Sequence, residues 1–438
     1  MVVLLYQKSF KKYIKSIKMN AGLKLRKKIK RCADKCFREY PLENFWKVDD
    51  KRKKKILIIP SSYPIRETPI VGSFFQEQSL LMADEYDVRI LYAHPKQFKK
   101  NQWFFYEKTN ILHDPDGLSF YYKKINSICD EKEEVKRIFW SYETVLNELL
   151  KIGWRPDVIH AHSVIYGGII ANRLGKKFKI PVMITEHMMF LLHTFSKFVQ
   201  GEVFDAYQSA SRVTPPSHDK KRAILMHGIK CEPIVVGNMV DDCLFDIPKI
   251  KKRGDVFDIL IVAGSSYIKD LPTFFRAVRE ITNRGHKNIH ATIVGNGVWG
   301  NENYKDYVKK IGIEEYCTFV DVVSRKDMPK YYHNCDVFVS SSIAEGFQVS
   351  VLEAMACGKP IISTKNGGVE DGLTADSGIL VDVHDFNAIA DAVIKVKNKE
   401  LLFDSEKIRR MVVEKYGKEA FKKRIAKIYN EIIDENRK

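Results

Sequence analysis

No apolar run in these 438 residues approaches the ~20 that a membrane-spanning helix requires; Ile56 to Ile59 and Ile259 to Ala263 fall far short. The opening Met-Val-Val-Leu-Leu is too brief for the apolar part of a secretory signal, and no small-residue cleavage site follows. The chain is therefore expected to stay in the cytosol. Cysteine is sparse, with eight residues spread from Cys32 to Cys357. The closest pair, Cys32 and Cys36, has helical spacing, and no second pair completes a set of four zinc ligands. No metal site is expected, and the thiols are read as reduced, since disulfide frameworks belong to small secreted domains. Short-period repeats and low-complexity tracts are absent outside the basic leader.

What is present is ordinary globular composition, 45% hydrophobic and 29% charged, in a length that suits two domains. The formal charge of +18 is uneven: residues 1 to 55 hold 19 Lys and Arg against 5 Asp and Glu, hence +14, which leaves +4 for the rest. A basic arm on a nearly neutral body indicates a tether and not a nucleic-acid protein. Within the arm, Phe10, Tyr13, Ile14, Ile17, Ala21, Leu25 and Ile29 recur at three or four residues among lysines and arginines. That pattern predicts an amphipathic basic helix able to lie on an anionic membrane. The same helix could instead pack on the body. Aromatic residues for base stacking are few in the arm, which argues against nucleic acid.

From Ile56 the order is strand, loop, helix, and it repeats. Strands are predicted at 56–59, 88–92, 157–160 and 182–184, with helices at 74–83, 135–152 and 167–174. A second series runs through strands at 259–263, 291–294, 318–320, 337–339, 360–363 and 378–381, with helices at 271–282, 349–356 and 386–396. Alternating buried strands and helices imply parallel sheets covered on both faces. The expected division is a basic extension 1–55, an α/β domain 56–240, a linker 241–257, a second α/β domain 258–415, and a C-terminal helix 416–438 crossing back to the first domain. Two doubly wound Rossmann-like domains of this kind are expected to face an interdomain cleft that holds the ligand.

The segment Cys335-Asp-Val-Phe-Val-Ser-Ser-Ser-Ile-Ala-Glu345-Gly-Phe-Gln-Val-Ser-Val-Leu-Glu353-Ala-Met-Ala reads as strand, loop, helix. Eight residues across that turn can bring both carboxylates to one mouth. Carboxylates accept well from paired hydroxyls, so one Glu suits a ribose and the other a pyranose. The amides of Phe347, Gln348 and Val349 at the helix start would face sugar or phosphate oxygens. On spacing alone, a loop carboxylate and a helix carboxylate with no ligand fit equally well.

The whole string resembles the signature of retaining glycosyltransferase family 4, whose fold is GT-B. The likeness extends through Gly358-Lys-Pro-Ile-Ile-Ser-Thr, Asn366-Gly-Gly-Val-Glu370, Val235-Val-Gly-Asn-Met-Val-Asp241, Pro156-Asp-Val-Ile-His-Ala-His162 and Gly72-Ser-Phe-Phe-Gln-Glu-Gln. Together these span roughly residues 56 to 400. The resemblance implies that Glu345 contacts the donor sugar and Glu353 the ribose. It implies that His187 lies near the sugar and leaving diphosphate, that Lys269 pairs with the diphosphate, and that Gly72 lets backbone approach the phosphates. It further implies front-face displacement from a nucleotide-diphosphate sugar, with no cofactor required and no dedicated protein nucleophile. The acceptor it suggests is a lipid-linked glycan of a bacterial surface polysaccharide, such as capsule or lipopolysaccharide, at the inner face of the cell membrane. One departure stands out. The family places an Arg about five residues before the lysine, and this chain has Gly264. Lys269 with serine hydroxyls and amides, or another arginine such as Arg325, would then have to serve, or activity is reduced.

Three other readings compete. Gly295-Asn-Gly-Val-Trp-Gly300 with Asp321 about twenty residues on fits a dinucleotide fingerprint. It lies, however, in the second strand-helix unit of its domain, with Glu302, Asn303 and Tyr304 before the helix. A nucleotide-sugar epimerase would share the architecture without an acceptor. A membrane-bound scaffold would keep the fold with its clamp weakened at Gly264.

Overall fold

Ile56, Leu57, Ile58 and Ile59 are each at most 1% exposed, so their strand needs cover on both faces and a central place in its sheet. A computed structural model describes residues 38–40, 53–65, 71–96, 110–113, 119–126, 130–187, 192–248, 254–295 and 304–437. The amphipathic helix expected over 10–29 and the turn Asn296 to Gly300 lie outside the described residues. The chain divides into two compact units.

The first unit contains the described residues through Pro216, with Lys220–Val236 and 422–437. Its eight strands are β1 (Arg38–Tyr40), β2 (Lys55–Pro60), β3 (Asp87–Lys96), β4 (Asn110–His113), β5 (Ser119–Asn126), β6 (Val158–His162), β7 (Val182–Thr185) and β8 (Arg212–Thr214). Their order is β1-β4-β5-β3-β2-β6-β7-β8. From β5 to β8 every pairing is parallel, while β4 runs antiparallel to β5 and β1 to β4. The helices are α1 (Ser73–Ala83), α2 (Glu131–Lys151), α3 (Ile169–Phe178), α4 (Lys197–Ser209) and α5 (His218–Met226). Asp130 caps α2 by accepting from Lys132 N at 3.0 Å, and Glu131, Glu133 and Glu134 complement the helix dipole in its first turn. The helix expected over 167–174 is entered through an irregular turn, Val164–Gly168, in which Ile165 is extended and Tyr166 has φ 60°. Strand β8 and the antiparallel pair β4–β5 have no counterpart in the sequence expectation.

The second unit contains Ser217–Asp219 and Gly237–Phe421. Strands β9 (Phe257–Val262), β10 (Ile289–Val294), β11 (Cys317–Val320), β12 (Val337–Ser340), β13 (Ile361–Thr364) and β14 (Gly378–Val381) form an all-parallel sheet in the order β11-β10-β9-β12-β13-β14. Its helices are α6 (Leu271–Asn283), α7 (Tyr304–Lys310), α8 (Pro329–Asn334), α9 (Val349–Ala356), α10 (Phe386–Lys397), α11 (Ser405–Tyr416) and α12 (Lys418–Arg437). Because side chains alternate along a strand, Ile259 and Ile261 join one core with Phe274 and Phe275 of α6. Leu260 joins a second core with Phe338, Val351 and Leu352. Of the expected linker 241–257, residues 241–248 pack on this unit. Phe245 is fully buried, and Arg409 donates to the carbonyls of Asp242, Phe245 and Ala356. Residues of α12 through Phe421 belong to the second unit and 422–437 to the first.

In each sheet the chain first builds outward to one side and then returns to the other. The order reverses between β2 and β6 in the first unit and between β9 and β12 in the second. Open α/β sheets bind ligands outside the carboxyl ends of the strands that flank such a reversal.

Candidate functional site

In the second unit the loops leaving β9 and β12 carry Lys269 and Glu345. Lys269 closes a single tight turn, Tyr267–Lys269, ahead of α6. Its Nζ lies 2.6 Å from Glu345 Oε1, and both side chains are partly buried. The two loops are stitched together by Ser341 Oγ donating to Lys269 O at 2.8 Å and Ile343 N to Ile268 O at 2.7 Å. Glu345 N donates to Asn366 O at 2.9 Å. Gly264 is the second residue after β9, so no side chain stands where the family pattern has an arginine.

Residues 346–349 lead from this loop into α9. Ser217 Oγ donates to Gly346 O at 2.9 Å and Asn238 Nδ2 to Phe347 O at 3.0 Å. The Phe347 ring packs 5.0 Å from Tyr416. Gln348 turns its side chain inward, accepting from Ser340 Oγ at 2.7 Å and donating to Ser350 Oγ at 3.1 Å. Val349 is the first residue of α9. The side chains of Phe347 and Gln348 are thus engaged within this unit, while the sequence reading asks only for their backbone amides and that of Val349.

Glu353, one turn into α9, is 5% exposed. One of its oxygens pairs with Arg325 and the other accepts from Tyr332 Oη at 2.6 Å. The guanidinium of Arg325 also lies 5.1 Å over the Phe245 ring. Burial, and then the charge of Glu353, push the Tyr332 phenol well above its ordinary range, so it stays a donor. The structure brings Lys269 together with Glu345, and Arg325 and Tyr332 together with Glu353. Tyr332 escaped sequence reasoning, since it lies 21 residues from its partner with nothing local to link them.

In the first unit Gly72 precedes α1 with φ 79°, and a Cβ there would stand 2.7 Å from the carbonyl carbon and oxygen of Ser62. Only glycine allows that approach. His187 follows β7. Its N donates to Glu186 Oε1 at 2.8 Å and its Nε2 lies 3.1 Å from His162 Nδ1, with Phe74 and Phe75 rings at 5.2 and 4.8 Å. The alternation His160-Ala161-His162 sets both imidazoles on one face of β6. His160 Nδ1 meets Tyr429 Oη at 2.6 Å and its Nε2 meets Thr185 Oγ1 at 2.7 Å. Burial holds His162 down to about 3. Burial, followed by the neighbouring His162 and His187, holds His160 well below the usual imidazole range. The period-two spacing of these histidines was the available signal for them; nothing in the sequence pointed to Tyr429. Among the described residues no group of three or more His, Cys, Asp or Glu is arranged to hold a metal, and Cys231, Cys243, Cys317, Cys335 and Cys357 are free thiols.

Residues 81–242 match the family profile described as Glycosyltransferase Family 4, and residues 244–420 the one described as Glycosyl transferases group 1. The D-inositol 3-phosphate glycosyltransferase of Paenarthrobacter aurescens is 25% identical over 287 residues, covering 60% of this chain and 67% of that protein. The alpha-monoglucosyldiacylglycerol synthase of Streptococcus pneumoniae is 23% identical over 290 residues, covering 60% and 65%. The chain thus aligns with about two thirds of each relative's length. Among solved structures, sucrose-phosphate synthase from Thermosynechococcus elongatus superposes with a TM-score of 0.70 at 17% identity, covering 87% of this chain and 100% of that one. Anabaena HepE in complex with UDP-glucose superposes with 0.67 at 16% identity, covering 86% and 99%. At these identities the likeness is one of fold.

Proposed function

Since this chain belongs to glycosyltransferase family 4 and has the GT-B fold, we propose that it moves a hexosyl-type sugar, with retention, from a nucleotide-diphosphate sugar to a lipid-linked saccharide. The Lys269–Glu345 pair at the reversal between β9 and β12 is the observation that carries this reading. A carboxylate fixed by an ammonium can accept from sugar hydroxyls, and the same ammonium can meet a departing diphosphate, where charge develops. Glu353 is assigned to the ribose and the amides of Phe347, Gln348 and Val349 to donor oxygens. His187 and Gly72 are assigned to the sugar and phosphates from the family pattern. In the front-face route the acceptor O–H bond and the sugar–phosphate bond break as the new glycosidic bond forms, and the leaving phosphate oxygen takes the proton. No metal or other cofactor enters that sequence.

A relative named as a glycolipid synthase supports a lipid-linked acceptor. The +14 charge of residues 1 to 55 supports attachment to an anionic inner membrane surface, and with it a place in surface polysaccharide assembly. Gly264 favours a second reading, a membrane-bound scaffold that grips a donor poorly. A thermal-shift screen of nucleotide sugars separates the two, because a ligand at 100 times its dissociation constant adds ~2.7 kcal/mol. A stabilising donor should then pass its sugar to a membrane lipid extract with the anomeric configuration retained. Stabilisation by none of the donors would refute donor binding, and a changed sugar with no acceptor present would indicate an epimerase.

A further inference from the structure

We propose that Ser217 and Asn238 are positioning residues that aim the backbone amides of Phe347 and Gln348 at the diphosphate of the bound donor; this rests on the reading of residues 345–349 as the donor loop. A trans peptide is planar, and its C=O and N–H point to opposite sides. With Gly346 O held by Ser217 Oγ at 2.9 Å, the N–H of Phe347 is turned away from Ser217. With Phe347 O held by Asn238 Nδ2 at 3.0 Å, the N–H of Gln348 is turned away from Asn238. Two successive peptide planes are fixed by two side chains.

Both clamping side chains are buried, Ser217 fully and Asn238 to 5% exposure. The orientation of Asn238 follows from the loop: its Oδ1 has no hydrogen-bond partner among the described residues, and turning the amide over would set that oxygen against Phe347 O. Gly368 packs closely on the same two residues: a Cβ there would stand 2.8 Å from Gly346 O and 3.0 Å from Phe347 Cα. Among the described residues neither Phe347 N nor Gln348 N donates a hydrogen bond within the chain. Buried amides nearly always find an acceptor, and two adjacent donors that begin two residues after Glu345, the partner of Lys269, suit an anionic oxygen, for which hydrogen bonds are charge-assisted. The sequence hides the clamp, because its bonds span 129 and 109 residues.

The test is calorimetric binding of UDP, UMP and uridine, with GDP, GMP and guanosine in parallel, to the full chain and to Ser217→Ala, Asn238→Ala and the double variant. Each single change should weaken the preferred nucleoside diphosphate about tenfold and the double change about a hundredfold, with the nucleoside unaffected. Equal weakening of nucleoside and diphosphate would reduce both residues to structural support and overturn the proposal. So would unchanged diphosphate binding in the double variant. Should Asn238→Ala not fold, Ser217→Ala carries the same comparison. If the unaltered chain binds neither series, it is the donor-loop reading that fails.

Discussion

Lys269 reaches Glu345 from the loop after β9 to the loop after β12, Nζ to Oε1 at 2.6 Å, across the one place where the strand order of the second sheet reverses. The pair therefore sits where an open α/β sheet receives its ligand. With glycine at 264, Lys269 is the cation that this loop offers to a diphosphate. Replacement by methionine keeps most of the side-chain volume and removes the charge. The expected result is a fall in kcat/KM of about 100- to 1,000-fold, the scale seen when one preorganised donor to developing charge is lost. Partial exposure limits the stability effect to ~1 kcal/mol or less. Steady-state kinetics beside thermal unfolding checks both halves; a large drop in melting temperature with little change in rate would contradict the assignment.

Glu353 has the opposite balance. Its carboxylate is 5% exposed and answers two donors, Arg325 and Tyr332. Glu353→Ala would leave the guanidinium and phenol without their acceptor, and breaking a buried pair from one side costs about 3–5 kcal/mol. Because Arg325 keeps a quarter of its side chain in solvent, the lower end of that range is expected. Glu353→Gln retains an acceptor and should cost less. Urea unfolding midpoints of the two variants give the comparison, and equal midpoints would show that an uncharged acceptor recovers nothing of what the carboxylate supplies.

The parallel strands of the second unit were legible because Ile259–Val262 of β9 and Val337–Val339 of β12 are unbroken apolar runs, with α9 falling on residues 349–356 as expected. In the first unit β8 is only Arg-Val-Thr, and β5 mixes Tyr121 and Tyr122 with Lys123 and Lys124. Such short or polar strands are set by pairing with neighbours more than by their own pattern. The site divides in the same way. Glu345 and Lys269 could be found from strand-loop-helix order and family likeness. Arg325 was named only as a possible diphosphate ligand, and its pairing with Glu353 joins segments 28 residues apart. Tyr429 meets His160 across 269 residues, a pairing that leaves no local periodicity.

Acid should weaken the first unit through His160 and His162. Both imidazoles are held neutral in the fold, while in the unfolded chain they titrate near 6.5. Above that pH neither state takes up a proton, and the stability is fully present. As pH falls below 6.5 the unfolded chain gains protons that the folded one refuses. Stability is then lost at ~1.4 kcal/mol per pH unit for each imidazole, and for His162 the loss continues to about pH 3. His162→Gln should halve this histidine contribution between pH 6 and 5. Urea unfolding at several pH values measures the slope, and an unchanged slope in the variant would exclude His162 as a source.

Glycine at 72 should be irreplaceable for reasons of backbone alone. Its φ of 79° is unfavourable for other residues, and an added Cβ would press on the backbone of Ser62 and Tyr63, which cannot swing aside as a side chain could. Gly72→Ala is expected to destabilise the chain by about 1–3 kcal/mol or to shift the start of α1. Unfolding midpoints together with hydrogen exchange in α1 would reveal either effect; neither one appearing would mean that the turn has slack.

The hydroxyl of Tyr429 ends a chain of hydrogen bonds whose direction can be worked out from its far end. With Thr214 Oγ1 donating to Ile184 O at 3.3 Å, Thr185 is the donor across the 2.6 Å contact with Thr214. Thr185 then has no proton for His160, whose Nε2 must carry its own and donate at 2.7 Å. A neutral imidazole has one N–H, so Nδ1 is left as an acceptor, and Tyr429 donates to it at 2.6 Å. The shifts agree, since burial keeps His160 neutral and the Tyr429 phenol protonated. Tyr429→Phe keeps the ring against Tyr86 but leaves Nδ1 buried without a donor, at a cost of about 1–3 kcal/mol. Loss of the donor should also speed hydrogen exchange over the part of α12 that belongs to the first unit. Nitrogen chemical shifts of His160 test the direction itself: a proton on Nε2 is required, and a proton on Nδ1 would reverse the chain and remove the reason for the destabilisation.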